Sequence, residues 1–179
     1  MKPKETIERF DLFLHDRRQA FEAVLVGGAA LSLLGVIDRQ TRDCDVLHPP
    51  IPDPIVKTAA EFAAEARARG MPLQDDWLNQ NPAQLADVLP EGWLARTMTV
   101  FEGRALKLFV LGRSDLLLSK LFALCDRGTD LADCLALSPT SEELHRAAAW
   151  LERQDTNPQW PAHIHECLAD LGRRLGHGL

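Results

Sequence analysis

With 179 residues, 46% of them apolar, the chain is long enough to bury one core and too short for several full domains. Its charged fraction of 26% argues against disorder, and a formal charge of -6 with a pI near 5.5 excludes a broadly nucleic-acid-binding surface. No apolar run reaches the roughly 18 to 20 residues of a membrane span, and Met1 to Glu5 leads into an amphipathic segment instead of an apolar leader. The arginine pairs Arg17–Arg18, Arg67 with Arg69, and Arg173–Arg174 read as solvated helix faces. Cys44, Cys125, Cys134 and Cys167 show no Cys-x-x-Cys spacing, so they read as reduced, packing thiols of a cytoplasmic protein.

In chain order, residues 4–20 place Ile7, Phe10, Leu12, Phe13 and Leu14 near helical spacing and predict a first amphipathic helix. Residues 22–27 are a β-branched apolar run closed by Gly27 and Gly28, a buried strand that ends abruptly. A short helix over residues 29–36 and a second strand over 42–48 follow. Prolines 49, 50, 52 and 54 forbid regular structure between them. A helix runs from about Ile55 to Arg69 and stops at Gly70. Residues 71–80 read as a polar loop, and Asn81–Pro82 opens a short helix to Leu89. Residues 93–101 and 105–111 read as a hairpin turning at Glu102–Gly103.

Everything from Ser114 onward reads as helical. One helix runs to Cys125, one from Thr129 or Asp130 to Leu137, one capped by Thr140 with Glu143 to Arg153, and a last one from Ala162 to Leu175. This order predicts an α+β fold: a small mixed sheet flanked by helices over residues 1–113, and a helical C-terminal bundle over 114–179 packed on it.

One constellation carries chemistry. Glycines that end a strand let backbone N–H groups approach a ligand without a Cβ in the way, and the helix after them is a seat for phosphate. On a strand, Asp43 and Asp45 point to one face. Two adjacent carboxylates repel each other unless a cation or proton lies between them. An oxygen-rich pair of this kind suits Mg²⁺ or Mn²⁺, which takes its remaining ligands from water and substrate phosphates. The plain alternative is a turn beside an exposed edge strand with both acids in water.

Taken together, Gly27-Gly28-Ala29-Ala30-Leu31, then Gly35, Arg39, Thr41, Asp43 and Asp45, resemble the nucleotidyltransferase superfamily with its DNA polymerase β-like fold. Within it they are most similar to the bacterial branch of AbiEii-type toxins and DUF6036 proteins, which reads Gly-Gly-x-Ala-Leu, then Arg-x-Thr-x-Asp-x-Asp. Lys120, Asp126–Arg127, Asp130 and Asp133 resemble the downstream motif of that branch, a lysine-bearing helix followed by Arg and two aspartates three apart. The resemblance covers residues 22–48 and about 105–137.

The resemblance implies transfer of an NMP from an NTP to an RNA, protein or small hydroxylated acceptor, with Asp43 and Asp45 holding the metal. Gly27, Gly28, Arg39, Thr41, Lys120 and Asp130 would bind nucleotide, with Lys120 and Asp133 in the catalytic set. It also implies a toxin-like member of a toxin–antitoxin or defence pair. Relatives carry a third carboxylate on a later strand. Here the interior positions of those strands are Thr97, Thr99, Lys107 and Phe109, leaving Glu102, Asp115 or Asp133 as substitutes. A degraded domain that binds nucleotide or protein without transfer is the alternative, and a purely structural domain the third.

Two lesser signals complete the reading. His48 is read first as a loop histidine and second as a residue at the site mouth. His163 and His165, two apart on a helix, face different sides and make a poor metal pair.

Overall fold

The computed structural model describes residues 1–177. Pro3 sits in the first turn of helix α1 (Pro3–Asp16), where its missing N–H costs nothing. Ile7, Phe10 and Leu14 form one buried face of that helix. Strand β1 (Phe21–Val26) runs directly into α2 (Gly27–Leu33), so the helix begins at the two glycines and not after them. Strand β2 (Cys44–His48) starts two residues later than expected, because its pairing begins where the Cys44 N–H donates to the Trp77 carbonyl at 2.6 Å. Asp43 therefore lies one residue before the strand. Helix α3 (Asp53–Ala68) ends before Gly70, whose φ of 82° is the left-handed stop read from the sequence.

Residues 71–80 are not merely a polar loop. Leu73 and Trp77 are buried, the Trp77 Nε1–H donates to Ala59 O at 3.1 Å, and Leu78–Asn79 forms β3, parallel to β2. Too few apolar residues fall there to give a periodic signal. The short helix expected from Asn81 contracts to α4 (Leu85–Val88), with turns before it.

The hairpin also differs from expectation. Trp93–Arg96 is a 3₁₀ turn pinned by the Trp93 Nε1–H on Ala86 O at 3.2 Å, and β4 begins only at Met98. Glu102 is the last residue of β4 (Met98–Glu102), not a turn residue. Strand β5 (Leu106–Val110) pairs antiparallel with β4 and parallel with β1.

The chain thus has an α+β fold built on a mixed sheet of order β3-β2-β1-β5-β4 among the described residues. It divides into two compact units, residues 1–87 with 92–112, and residues 88–91 with 113–177. In the sheet unit, Phe21, Ala23 and Leu25 of β1, Cys44 and Val46 of β2, and Leu106, Leu108 and Val110 of β5 face α1 and α3 in one core. Period-two alternation leaves Glu22, Val24 and Val26 of β1 and Lys107 and Phe109 of β5 on the opposite face, away from that cluster.

The helical unit contains α5 (Arg113–Arg127), α6 (Leu131–Leu137), α7 (Ser141–Leu151) and α8 (Trp160–Arg174). Thr140 and Glu143 form the expected reciprocal capping box at α7. Pro161 occupies the first turn of α8, so the helix starts at Trp160, ahead of the expected Ala162. No described helix is long and apolar enough to cross a membrane.

One buried acid ties α1 to the hairpin. The Asp11 carboxylate accepts the N–H groups of Ala105 and Leu106, both at 2.8 Å, and Arg104 at 3.0 Å. Burial raises its pKa, but these three donors and the charge of His15 outweigh that and hold the carboxyl below its usual value. Its stabilising effect is complete above the ordinary carboxylate range near 3.9 and fades as pH falls through the depressed folded value. Asp11→Ala strands three donors, and it is expected to lose about 3 kcal/mol in urea unfolding at pH 7. The difference from the wild type shrinks as pH falls below the ordinary carboxylate range.

Candidate functional site

The site is assembled where β1 stops. Gly27 adopts a φ of 74°, which an L residue with a side chain reaches only at a cost. A Cβ there would collide with Oδ2 of Asp45, so the aspartate carboxylate fills the space that a side chain would have taken. A Cβ at Gly28 would come within 3.0 Å of Thr41 Cγ2 and 3.9 Å of Arg39 Nη2. Gly27, Gly28, Arg39, Thr41 and Asp45 are therefore one neighbourhood, although 18 positions of sequence separate its ends.

Two register facts place the acid. Val26 pairs with Asp45 across β1 and β2, so Asp45 shares the sheet face of Val24 and Val26 that the main core leaves uncovered. Asp43, half-buried just before β2, and Asp45 both add to the burial that raises the Cys44 thiol pKa. Cys44 itself points into the core. Thr41 is 6% exposed, and its Oγ1 has no hydrogen-bond partner among the described residues. A buried hydroxyl is normally hydrogen-bonded, and this one, enclosed beside the glycines, is an exception. The backbone N–H of Thr41 is held by Met1 O at 3.0 Å, which fixes the loop that carries it.

Lys120, Asp130 and Asp133 gather in the helical unit. The Lys120 Nζ donates to Asp133 Oδ2 at 2.8 Å and to Asp130 Oδ2 at 3.1 Å. The lysine and Asp133 side chains are 6% and 2% exposed, while that of Asp130 is 32% exposed. The two acids, three apart, do not lie on one helix face. Asp130 precedes α6 with a left-handed φ of 66°, and only Asp133 lies within the helix. Of the proposed substitute acids, Glu102 pairs with Lys107 at 3.2 Å and Asp115 is buried in the first turn of α5. Among the described residues, no three His, Cys, Asp or Glu side chains cluster to hold a metal.

His48 is the last residue of β2, not a loop residue. The β1–β2 register shifts between Val24 and Leu25, so His48 pairs with Val24 while Val46 pairs with Leu25. That irregularity turns His48 onto the Asp45 face. There it lines a cavity of about 260 Å³ with Glu22, Ala23, Val24, Pro49, Leu94, Thr97 and Phe109. No single-sequence signal announces a shifted register. His163 and His165 are used elsewhere: His163 Nε2 meets Cys125 O at 2.7 Å, and His165 pairs with Glu152 at 2.9 Å.

A family model described as "Nucleotidyltransferase of unknown function (DUF6036)" matches residues 4–138. The chain belongs to this family. No curated protein and no solved structure matches it. The matched span takes in the glycine turn, both aspartates of the Asp-x-Asp motif and the lysine with its two acids.

The lysine group permits a direct check. Removing one partner of a buried ion group leaves uncompensated charge, so Lys120→Met is expected to lower stability by about 3 to 5 kcal/mol in chemical denaturation. A loss below about 1 kcal/mol would show that the two acids do not need the ammonium.

Proposed function

We propose that the chain transfers an NMP group from an NTP to a hydroxyl-bearing acceptor, with the chemistry centred on Gly27, Gly28, Asp43 and Asp45. The observation that carries this reading is the seating of the Asp45 carboxylate in the space left by the absent Cβ of Gly27, beside Thr41 and Arg39. A phosphate cradle and a metal ligand are of use only if they meet.

The residues fit a hard divalent cation such as Mg²⁺ or Mn²⁺. Asp43 and Asp45 would supply carboxylate oxygens, and water and substrate phosphates would complete the set, as Mg²⁺ sites of this kind usually arrange. When bound, such an ion neutralises phosphate charge and stabilises the attacking and leaving oxygens. The chain's own parts do the rest. The first N–H groups of a helix have no partner within it, and in this reading those at Gly27 and Gly28 take phosphate oxygens. The Arg39 guanidinium adds charge-assisted donors, and Thr41 Oγ1 adds a hydroxyl. In this reading Lys120, Asp130 and Asp133 support nucleotide binding and turnover, with the two acids holding the ammonium in place.

A second reading has an observation in its favour. No residue inside β4 (Thr99, Val100, Phe101) or β5 (Lys107, Leu108, Phe109) is an acid, and this favours a domain that binds nucleotide without transferring it. The toxin-like role belongs to the first reading. It would show as growth arrest on expression of the wild type but not of Asp45→Ala.

Calorimetry with ATP, GTP, CTP and UTP is expected to show binding that needs Mg²⁺ and is lost by at least about tenfold in Asp45→Ala and Asp43→Ala. Gly27→Ala should lose it as well, with an added stability cost of about 1 to 2 kcal/mol for the left-handed backbone. Incubation of cell extract with α-labelled NTPs then separates the two readings: a labelled product absent with the Asp variants supports transfer, and binding without label supports the second reading. Absence of Mg²⁺-dependent binding overturns both.

A further inference from the structure

We propose that the cavity beside His48 is the acceptor subsite, and that it takes a phenolic hydroxyl, the side chain of a tyrosine on another protein. This rests on the transferase reading above and names its acceptor class.

Position is the first argument. Val26 with Asp45 forms one row on the sheet face opposite the main core, and Phe109, Val24 and His48 form a row two residues along β1. Successive same-face residues of a strand lie about 7 Å apart. The cavity thus opens one same-face step from the proposed metal ligand, where an attacking oxygen would have to come from.

Shape and lining are the second. At about 260 Å³ the cavity falls below the usual range for a whole drug-sized ligand, so it suits a single ring. Val24, Pro49, Leu94 and Phe109 give it apolar walls, and the His48 ring stands edge-on to Trp93 with centroids 6.0 Å apart. An aromatic ring with one polar tip matches such a lining. The Glu22 carboxylate on the rim, in a chain of charge -6, disfavours a polyanionic RNA end.

Base strength is the third. Among the lining side chains His48 and Glu22 are the two that can accept a proton, and the imidazole is assigned that role. An imidazole is a modest base. It is far better matched to a phenol, which ionises near 10, than to an aliphatic alcohol. In the step inferred, the phenolic O–H gives its proton to a ring nitrogen of His48, and the oxygen lone pair forms a bond to the α-phosphorus. The α–β bridging P–O bond breaks, and pyrophosphate leaves with that electron pair. The chain contains no tyrosine, so self-labelling cannot imitate the product.

The test has two arms. First, p-cresol is titrated into the full chain and followed by saturation-transfer NMR. Binding is expected, with loss in Thr97→Trp and in Leu94→Glu, whose fold is checked by circular dichroism. No binding to the wild type overturns the proposal without touching the transferase reading. Second, α-labelled ATP with Mg²⁺ is offered N-acetyl-tyrosinamide, N-acetyl-serinamide and total RNA. Label on the tyrosine amide alone is expected. His48→Ala should slow it about 100-fold or more with MgATP binding unchanged, and added imidazole should restore part of the rate. Label on RNA or serine with tyrosine blank, or a His48→Ala rate equal to wild type, overturns the proposal. No MgATP binding and no label anywhere sinks the transferase reading, and the acceptor role with it.

Discussion

The arrangement turns on one steric exclusion: the Asp45 carboxylate and a Cβ at Gly27 cannot occupy the same space. The strand-to-helix turn must be glycine both because its φ is 74° and because an acid from the neighbouring strand leans across it. The same contact fixes how close β2 lies to the start of α2. It puts an Asp45 carboxylate oxygen against the first residue of α2. Gly28 repeats the device on a smaller scale, with Thr41 and Arg39 as the neighbours.

The sheet serves this contact by dividing labour between its faces. One face carries the aliphatic residues of β1, β2 and β5 into α1 and α3, and it holds the strands in place through burial. The other face bears Asp45, His48, Glu22 and Lys107, residue types that a packed core would not accept so readily, beside Val24, Val26 and Phe109. The register shift at Val24/Leu25 is the point at which this division is adjusted. Without it, simple alternation would point His48 into the core face with Cys44 and Val46.

Charge is handled differently in the two units. In the sheet unit the buried carboxylate of Asp11 is satisfied entirely by backbone N–H groups and locks a hairpin. In the helical unit the buried ammonium of Lys120 is shared by two carboxylates, a grouping whose desolvation cost is offset only while all its members are present. Both are costly devices for a small protein, and each holds a loop or helix end that hydrophobic burial alone would leave loose.

Local pattern determined much of this protein. The glycine turn, Asp-x-Asp, the α+β order, the Thr140–Glu143 capping box and the stop at Gly70 could all be read from neighbouring residues, because propensity, capping and period are short-range. So could the family, since its motifs are short and contiguous. Only the tertiary structure decided that Asp45 lies over Gly27, that Trp77 and β3 lie in an apparently polar loop, that Asp11 caps a hairpin more than 90 residues away, and that a shifted register turns His48 toward the acids. Each of these depends on which strand lies beside which and in what register, and that is set by the packing of distant segments, about which no local stretch of the chain carries a signal.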